Sequence, residues 1–103
     1  MTTNYQKGAN FERTILDNYV TNPYKKYQGT RSAGSHGLVD AVVWSDDGIV
    51  FINCKMAGFS LAYQKKVWKE LIRPPNSYLK FFSRAGVEDG DQLALKHGWD
   101  KDE

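Results

Sequence analysis

The feature that most constrains the fold is a pair of apolar, β-rich runs on either side of the segment Ser45-Asp46-Asp47-Gly48. The runs extend from Leu38 to Trp44 and from Ile49 to Lys55. An Asp-Gly step between two such runs is a strong hairpin signal, because glycine readily takes the positive φ that tight hairpin turns require. The sequence therefore predicts two adjacent antiparallel strands.

The register of this hairpin decides which polar residues meet at its open end. If Ser45 pairs with Gly48, Asp40 stands directly opposite Asn53. If the turn is instead centred on Asp47-Gly48, Asp40 faces Lys55. Asn53 and Lys55 share one face, since side chains alternate along a strand. We expect either register to gather Asp40, Asn53 and Lys55 into one cluster.

The other elements follow from apolar periodicity and from proline and glycine positions. We expect a helix over Lys7–Val20 that ends at Asn22-Pro23, followed by a loop from Tyr24 into a short strand near Arg31. A glycine-containing segment over 32–37 leads into the hairpin. After the hairpin we expect a helix over Leu61–Arg73 that stops at Pro74-Pro75, and then a strand over Tyr78–Ser83. Gln92 to Trp99 fits either a strand or a helical turn. Trp44, Trp68 and Phe81 are expected in the core.

The predicted order is α, β, β, β, α, β, for which one mixed sheet flanked by helices is the natural packing. The fold class expected is thus α/β. The 103 residues are enough for one compact domain and too few for two. We expect residues 1–103 to form this domain, with residues 1–5 and roughly 100–103 flexible.

The charge of the chain is unevenly distributed. Residues 1–84 carry 12 Lys and Arg against 6 Asp and Glu, a surplus of +6, whereas residues 85–103 carry 2 against 6, or −4. A basic body with an acidic tail suits a polyanionic ligand. A solvated surface that happens to favour lysine explains the same numbers equally well.

The composition limits where the protein is expected to reside and which ligands a bound metal could have. There is no apolar run near the ~20 residues that span a bilayer, and no basic-then-apolar leader is visible. The single cysteine, Cys54, excludes an intramolecular disulfide framework and favours a cytoplasmic protein. Two histidines and one cysteine argue against a structural zinc site, so a bound metal would need oxygen ligands.

Glu12, Asp40 and Lys55 are residue types that phosphodiester cleavage requires. A divalent metal neutralises developing charge and lowers the pKa of a bound water. Mg²⁺ prefers one or two carboxylates, with waters and substrate oxygens as the other ligands. A nearby cation can orient the attacking water or stabilise the charged transition state. An Asp on one hairpin strand and a Lys on the next meet this need.

An ordered set of short motifs carries a family resemblance: Lys7-Gly8, Phe11-Glu12-Arg13, Arg31-Ser32-Ala33-Gly34-Ser35, Val39-Asp40 and Ile52-Asn53-Cys54-Lys55. Over roughly residues 5–72, this set resembles the archaeal and viral (phage) Holliday junction resolvases, a branch of the PD-(D/E)XK nucleases. The resemblance implies a restriction-endonuclease-like fold, dependence on Mg²⁺ or Mn²⁺, and a homodimer that binds four-way DNA junctions. In a virus, the protein would act in the host cytoplasm.

The resemblance also implies roles for individual residues. Glu12, Asp40 and Asn53 would be metal-linked, the backbone carbonyl of Cys54 would be a further ligand, and Lys55 would be the catalytic lysine. Gln64 would support the site from the second helix. Residues expected to contact DNA are Lys7, Arg13, Arg31, Ser32, Ser35, His36, Lys65, Lys66 and Lys69. For His36 simple solvation in its loop is the favoured alternative, whereas the three lysines of the second helix are equally consistent with solvation and with DNA contact.

Asn53 is the one serious departure from the family pattern, which has Glu in this position of its E-x-K motif. The amide is neutral and shorter, so the site loses a negative charge. Its carbonyl oxygen could still reach a metal, directly or through a water, and Glu12 could supply the missing charge. Three interpretations follow: weakened metal affinity, a natural binder that has lost cleavage, or a variant inactivated on purpose.

Three functional hypotheses result. The first is a structure-selective DNA endonuclease, a Holliday junction resolvase that hydrolyses phosphodiesters with a metal-activated water. The second is a non-catalytic binder of branched DNA that keeps the nuclease fold. The third is a related nuclease that trims flaps or other branched ends.

Overall fold

A computed structural model of the chain describes residues 4–31 and 37–101. In this part of the chain, helices and strands follow one another as α1 (Asn4–Val20), β1 (Gln28–Arg31), β2 (Ala41–Ser45), β3 (Gly48–Cys54), α2 (Leu61–Glu70), β4 (Ser77–Ser83), β5 (Gly86–Asp89) and α3 (Gly90–His97). The first six elements follow the predicted order, and β5 and α3 extend it.

The described strands form one mixed sheet in the order β1-β2-β3-β4-β5. All neighbours are antiparallel except β3 and β4, which pair in parallel. A parallel pair needs a crossover connection, and α2 supplies it between β3 and β4. The α/β class with a mixed sheet flanked by helices is therefore confirmed.

The hairpin takes the first of the two predicted registers, with Ser45 opposite Gly48 and Ala41 opposite Ile52. Gly48 has φ of +142°. A Cβ at this position would collide with the carbonyl oxygen of Asn76, so only glycine fits the turn. The chemistry of the turn thereby determines the register of the whole hairpin.

Side chains alternate across the sheet and build one apolar cluster on each face. On the first face, α1 covers a buried cluster of Ile15, Ala41, Val43, Val50 and Ile52. On the opposite face, α2 contributes to a second cluster of Val67, Leu71, Leu79 and Phe81, against which Leu93 of α3 also packs. The carboxyl ends of β3 and β4 lie at the same edge of the sheet because the two strands are parallel.

Several boundaries differ from those predicted. The helix expected over Leu61–Arg73 ends at Glu70, because Leu71 is extended (φ −71°, ψ 117°) ahead of the two prolines. The ambiguous segment near the end is helical: Asp89 caps α3 by accepting hydrogen bonds from the amides of Asp91 and Gln92, and Gly98 ends it in the left-handed region. A carboxylate cap followed by a glycine stop is a helix signal that overrides short apolar runs.

The aromatic residues expected in the core divide between core and surface. Phe81 is buried, as predicted, and Trp68 packs at the margin of the second apolar cluster. For Trp44 the prediction is wrong, because the side chain is 39% exposed and donates a hydrogen bond to Gln28 on the edge strand β1. Within the described residues, none of the helices is both long and apolar enough to cross a membrane.

Candidate functional site

Asp40 lies immediately before β2, where the hairpin pairing is irregular. Its amide donates a hydrogen bond to the carbonyl of Ile52 at 2.7 Å, although Ala41 is the residue that pairs with Ile52. Two residues thus oppose one, which is the arrangement of a β-bulge. Bulges redirect side chains, and here the Asp40 carboxylate accepts a hydrogen bond from the amide of Cys54 at 2.7 Å.

Glu12 approaches the same place from α1. Its carboxylate accepts hydrogen bonds from Arg31 on β1, from Nε at 3.4 Å and from Nη2 at 3.2 Å. Both side chains of this ion pair are largely buried, at 21% and 26% exposure. The packing of α1 over β1 and β2 therefore joins three distant parts of the sequence, which we call the carboxylate cluster: Glu12, Asp40 and Cys54.

The acidic groups of the carboxylate cluster disfavour one another's ionisation. Burial raises the pKa of Glu12, the charge of Asp40 raises it further, and Arg31 opposes both effects. Burial also raises the pKa of Asp40, while the Cys54 amide and the charge of Lys55 lower it. Burial and then the two carboxylates raise the pKa of the Cys54 thiol to about 12. Partly buried carboxylates with raised pKa values are typical of functional sites.

Lys55 interacts both with α2 and with the carboxylate cluster. Its Nζ lies 3.6 Å from the centroid of the Tyr63 ring, a cation–π contact with α2. Its charge also lowers the pKa of Asp40, so the two side chains interact electrostatically. The structure thus brings together Glu12, Asp40 and Lys55, which the sequence predicted as the chemical core of the site.

Asn53 faces α2 and not α1. Its side-chain Nδ2 donates to the carbonyl of Leu38 at 2.8 Å and to the hydroxyl of Tyr63 at 3.1 Å. The residue is 2% exposed, and its buried Oδ1 has no hydrogen-bond partner among the described residues. The bulge at Asp40 explains the separation from Asn53, because it breaks the alternation that would have placed both side chains on one face.

Gln64 lies on α2 and is 3% exposed. It donates from Nε2 to a carboxylate oxygen of Glu88 on β5 at 3.2 Å. This bond joins Gln64 to a strand that the sequence did not predict, and the supporting role of Gln64 at the site stays a prediction. The alternation of β5 could have placed Glu88 on the α2 face, but only once that strand was recognised.

A cleft of about 500 Å³ opens beside the carboxylate cluster. Residues from α1, from the end of β3 and its following turn, and from the β4–β5 turn line it: Lys7, Gly8, Phe11, Glu12, Cys54, Lys55, Met56, Ala57, Gly58 and Arg84. Glu12 is the acidic residue of this lining, and Lys7, Lys55 and Arg84 are its basic residues. The sequence predicted Lys7 and Lys55 in such a place and missed Arg84, whose position follows from the parallel pairing of β3 with β4.

The remaining predicted DNA contacts are more dispersed. Arg13 is exposed on α1 and forms a 3.5 Å hydrogen bond with Asn10. On α2, Lys66 is exposed while Lys65 and Lys69 are partly buried. Ser32, Ser35 and His36 lie outside the described residues. The DNA-binding role of all these residues stays a prediction.

The donor set of the carboxylate cluster can be compared with that of Mg²⁺ sites. In the described part of the chain, no group of three or more His, Cys, Asp or Glu side chains is arranged to hold a metal. Mg²⁺ needs fewer, since it commonly uses one or two carboxylates and completes its shell with water and carbonyl oxygen. Glu12 and Asp40, which repel each other, together with the Cys54 backbone, fit that requirement.

Comparison of the chain with protein-family models, with curated proteins and with solved structures yields no match. Function is therefore inferred from the residues of the chain and their geometry.

Proposed function

We propose that this protein is a metal-dependent DNA endonuclease selective for branched DNA, most specifically a Holliday junction resolvase with a restriction-endonuclease-like fold. The order α-β-β-β-α-β and the mixed sheet with a parallel β3–β4 pair support this assignment of fold. The basic surplus of residues 1–84 supports a polyanionic partner.

The observation that carries the proposal is the meeting of two partly buried carboxylates and a lysine beside a cleft. Glu12 and Asp40 interact strongly enough that the charge of Asp40 raises the pKa of Glu12, and Lys55 interacts with Asp40. Keeping two such carboxylates close together costs stability, so the arrangement is best explained by chemistry that needs them.

Glu12, Asp40 and the Cys54 carbonyl would hold Mg²⁺ or Mn²⁺. When bound, the metal supplies an acidified water and neutralises charge on the phosphate. Arg31 holds the Glu12 carboxylate in place through its two hydrogen bonds. The Tyr63 ring keeps the ammonium of Lys55 beside the site, where it can stabilise negative charge that develops on a phosphate.

The proposal includes a symmetric partner and a place of action. A homodimer with a two-fold axis matches the approximate symmetry of a four-way junction, so that two strands can be cut symmetrically. The protein would act in the cytoplasm, which for a viral or phage protein is that of the host.

The test is to incubate the protein with a labelled four-way junction and Mg²⁺ or Mn²⁺, and to resolve the products on a denaturing gel. We expect paired cuts near the branch point that are lost in Asp40→Asn and in Lys55→Ala and kept in Lys96→Ala, a surface control. Absence of cleavage by both the unaltered chain and Asn53→Glu would overturn the enzyme proposal.

Asn53 specifically favours a second candidate, a non-catalytic binder of branched DNA. Its side chain is a neutral amide that offers no negative charge to a metal, and its nitrogen is committed to Leu38 and Tyr63. This candidate predicts tight binding of a four-way junction without cutting, with an affinity that falls steeply as salt rises. Equal affinity for a linear duplex and a junction would contradict both candidates, and flap substrates distinguish the resolvase from a flap nuclease.

A further inference from the structure

Arg84 occupies the tip of the β4–β5 hairpin, outside the part of the chain that resembles the resolvases. Ser83 pairs with Gly86, which leaves Arg84 and Ala85 as a two-residue loop. The parallel β3–β4 ladder continues past Cys54: Lys55 donates its amide to Phe82 at 2.9 Å, and Arg84 donates its amide to Met56 at 3.2 Å. These bonds fix the hairpin tip against the turn that follows β3.

The consequence is that Arg84 lines the cleft with Lys7 and Lys55. Several other basic side chains are already paired with acidic groups: Arg31 with Glu12, Arg73 with Asp91, and Lys80 with Asp89. Within residues 4–31 and 37–101, no acidic group forms an ion pair with Arg84. Its guanidinium is therefore available for a ligand in the cleft.

The walls of the cleft differ in charge along its length. Lys7 precedes Glu12 by five residues on α1, which is about 7.5 Å along the helix axis and comparable to about two base-pair rises along the axis of a DNA duplex. Lys55 stands beside the carboxylate cluster. Arg84 lies on the wall formed by the β4–β5 hairpin. A ligand that satisfies all of these groups must present more than one anionic oxygen group along a chain.

We propose that Arg84, together with Lys7, forms a second phosphate-binding position in the cleft, so that the cleft holds a DNA strand through a phosphate near the one placed at the carboxylate cluster. This inference rests on the proposed function and assigns a binding role to a residue outside its motifs. Arginine suits the role, because its planar guanidinium binds phosphate through two parallel hydrogen bonds.

The experiment measures binding and not cleavage. A fluorescently labelled four-way junction is titrated with protein in EDTA over a series of KCl concentrations, and the slope of log K against log salt is compared between variants. Loss of one phosphate contact should reduce this slope by about 0.9 and weaken binding at every salt concentration. We expect that change in Arg84→Ala, near-normal behaviour in Arg84→Lys, and none in Lys96→Ala, whose lysine lies on α3 away from the cleft.

The possible outcomes distinguish a failure of this inference from a failure of the proposed function. If the unaltered chain binds the junction and Arg84→Ala keeps the same slope, the second phosphate position is wrong while the proposed function stands. If the unaltered chain has no affinity for the junction, both are wrong. Arg84→Ala retains the backbone hydrogen bond to Met56, and a thermal melt equal to that of the unaltered chain shows that the fold is unchanged.

Discussion

The two faces of the sheet bury polar groups in different ways. On the α1 face, charged groups are partly buried: Glu12 with Arg31, and Asp40 against the Cys54 amide. On the α2 face, the buried polar side chains include the neutral amides of Asn53 and Gln64, each hydrogen-bonded to a neighbouring element. The α1 face therefore holds like charges close together, which lowers stability, whereas the neutral amides on the α2 face carry no such electrostatic cost.

The polar groups of the two faces have different effects on stability. Buried neutral groups with hydrogen-bond partners fix packing at little electrostatic cost, whereas adjacent carboxylates with raised pKa values oppose folding at neutral pH. The buried amides of the α2 face thus contribute to stability, whereas the α1 edge carries the carboxylates to which the proposed function assigns the binding of a metal ion. Substitutions on the two faces should therefore have opposite effects on stability.

The largest expected effect is at Phe81, on the α2 face. Phe81→Ala removes a side chain that is 1% exposed, and we expect it to lower the free energy of unfolding by about 3–5 kcal/mol. Tyr78→Ala, on the same strand but 47% exposed, serves as the control and should cost much less. Urea unfolding followed by circular dichroism measures both, and a similar cost for the two would contradict the assignment of the core.

Asn53→Glu tests how strictly the α2 face excludes charge. A carboxylate cannot donate to Leu38 as Nδ2 does, and burial would raise its pKa, so we expect a loss of about 3 kcal/mol at neutral pH. The loss should diminish at low pH, where the new acid is protonated. Asn53→Gln keeps the amide and controls for length. A recovery of melting temperature in Mg²⁺ for Asn53→Glu alone would indicate that this position can join a metal site.

Asp40→Asn should act in the opposite direction. Because the pKa of Asp40 is raised in the folded protein, the folded state binds this proton more tightly than the unfolded chain does. The free energy of unfolding therefore falls as pH rises from the unfolded pKa through the raised one. Removing the charge should stabilise the protein by about 1 kcal/mol at neutral pH and weaken this pH dependence. Thermal melts between acidic and neutral pH check it, and destabilisation at neutral pH would contradict the account of the α1 face.

The smallest expected effect is on the reactivity of the Cys54 thiol. The Cys54 thiol, with its pKa raised to about 12, should react slowly with a thiol reagent at pH 8 and rapidly after unfolding in guanidinium. Asp40→Asn should increase its reactivity, because one of the charges that raise the pKa is removed. Rapid reaction of the native protein would show that the thiol is neither buried nor close to the carboxylates.

The hairpin shows how far local reasoning reaches. The Asp-Gly step predicts the turn, and Gly48 determines the register that places Asp40 at the open end. Periodicity likewise predicts α1 and the apolar side chains that it buries. By contrast, β5 lacks a distinctive apolar pattern, since its residues are mostly exposed, and it exists because β4 offers an edge for it to pair with. For the same reason the sequence does not predict Glu88 as the partner of Gln64.

The sequence by itself determined the α/β order, the turn at Gly48 and the residue types that stand near the end of the hairpin, because these depend on interactions between residues close in the chain. Only the tertiary structure decided which of those residues meet. The bulge separates Asp40 from Asn53, α1 brings Glu12 to Arg31 and Asp40, and the parallel β3–β4 pair carries Arg84 to the cleft. Each of these depends on pairing or packing between distant segments, which no local pattern specifies.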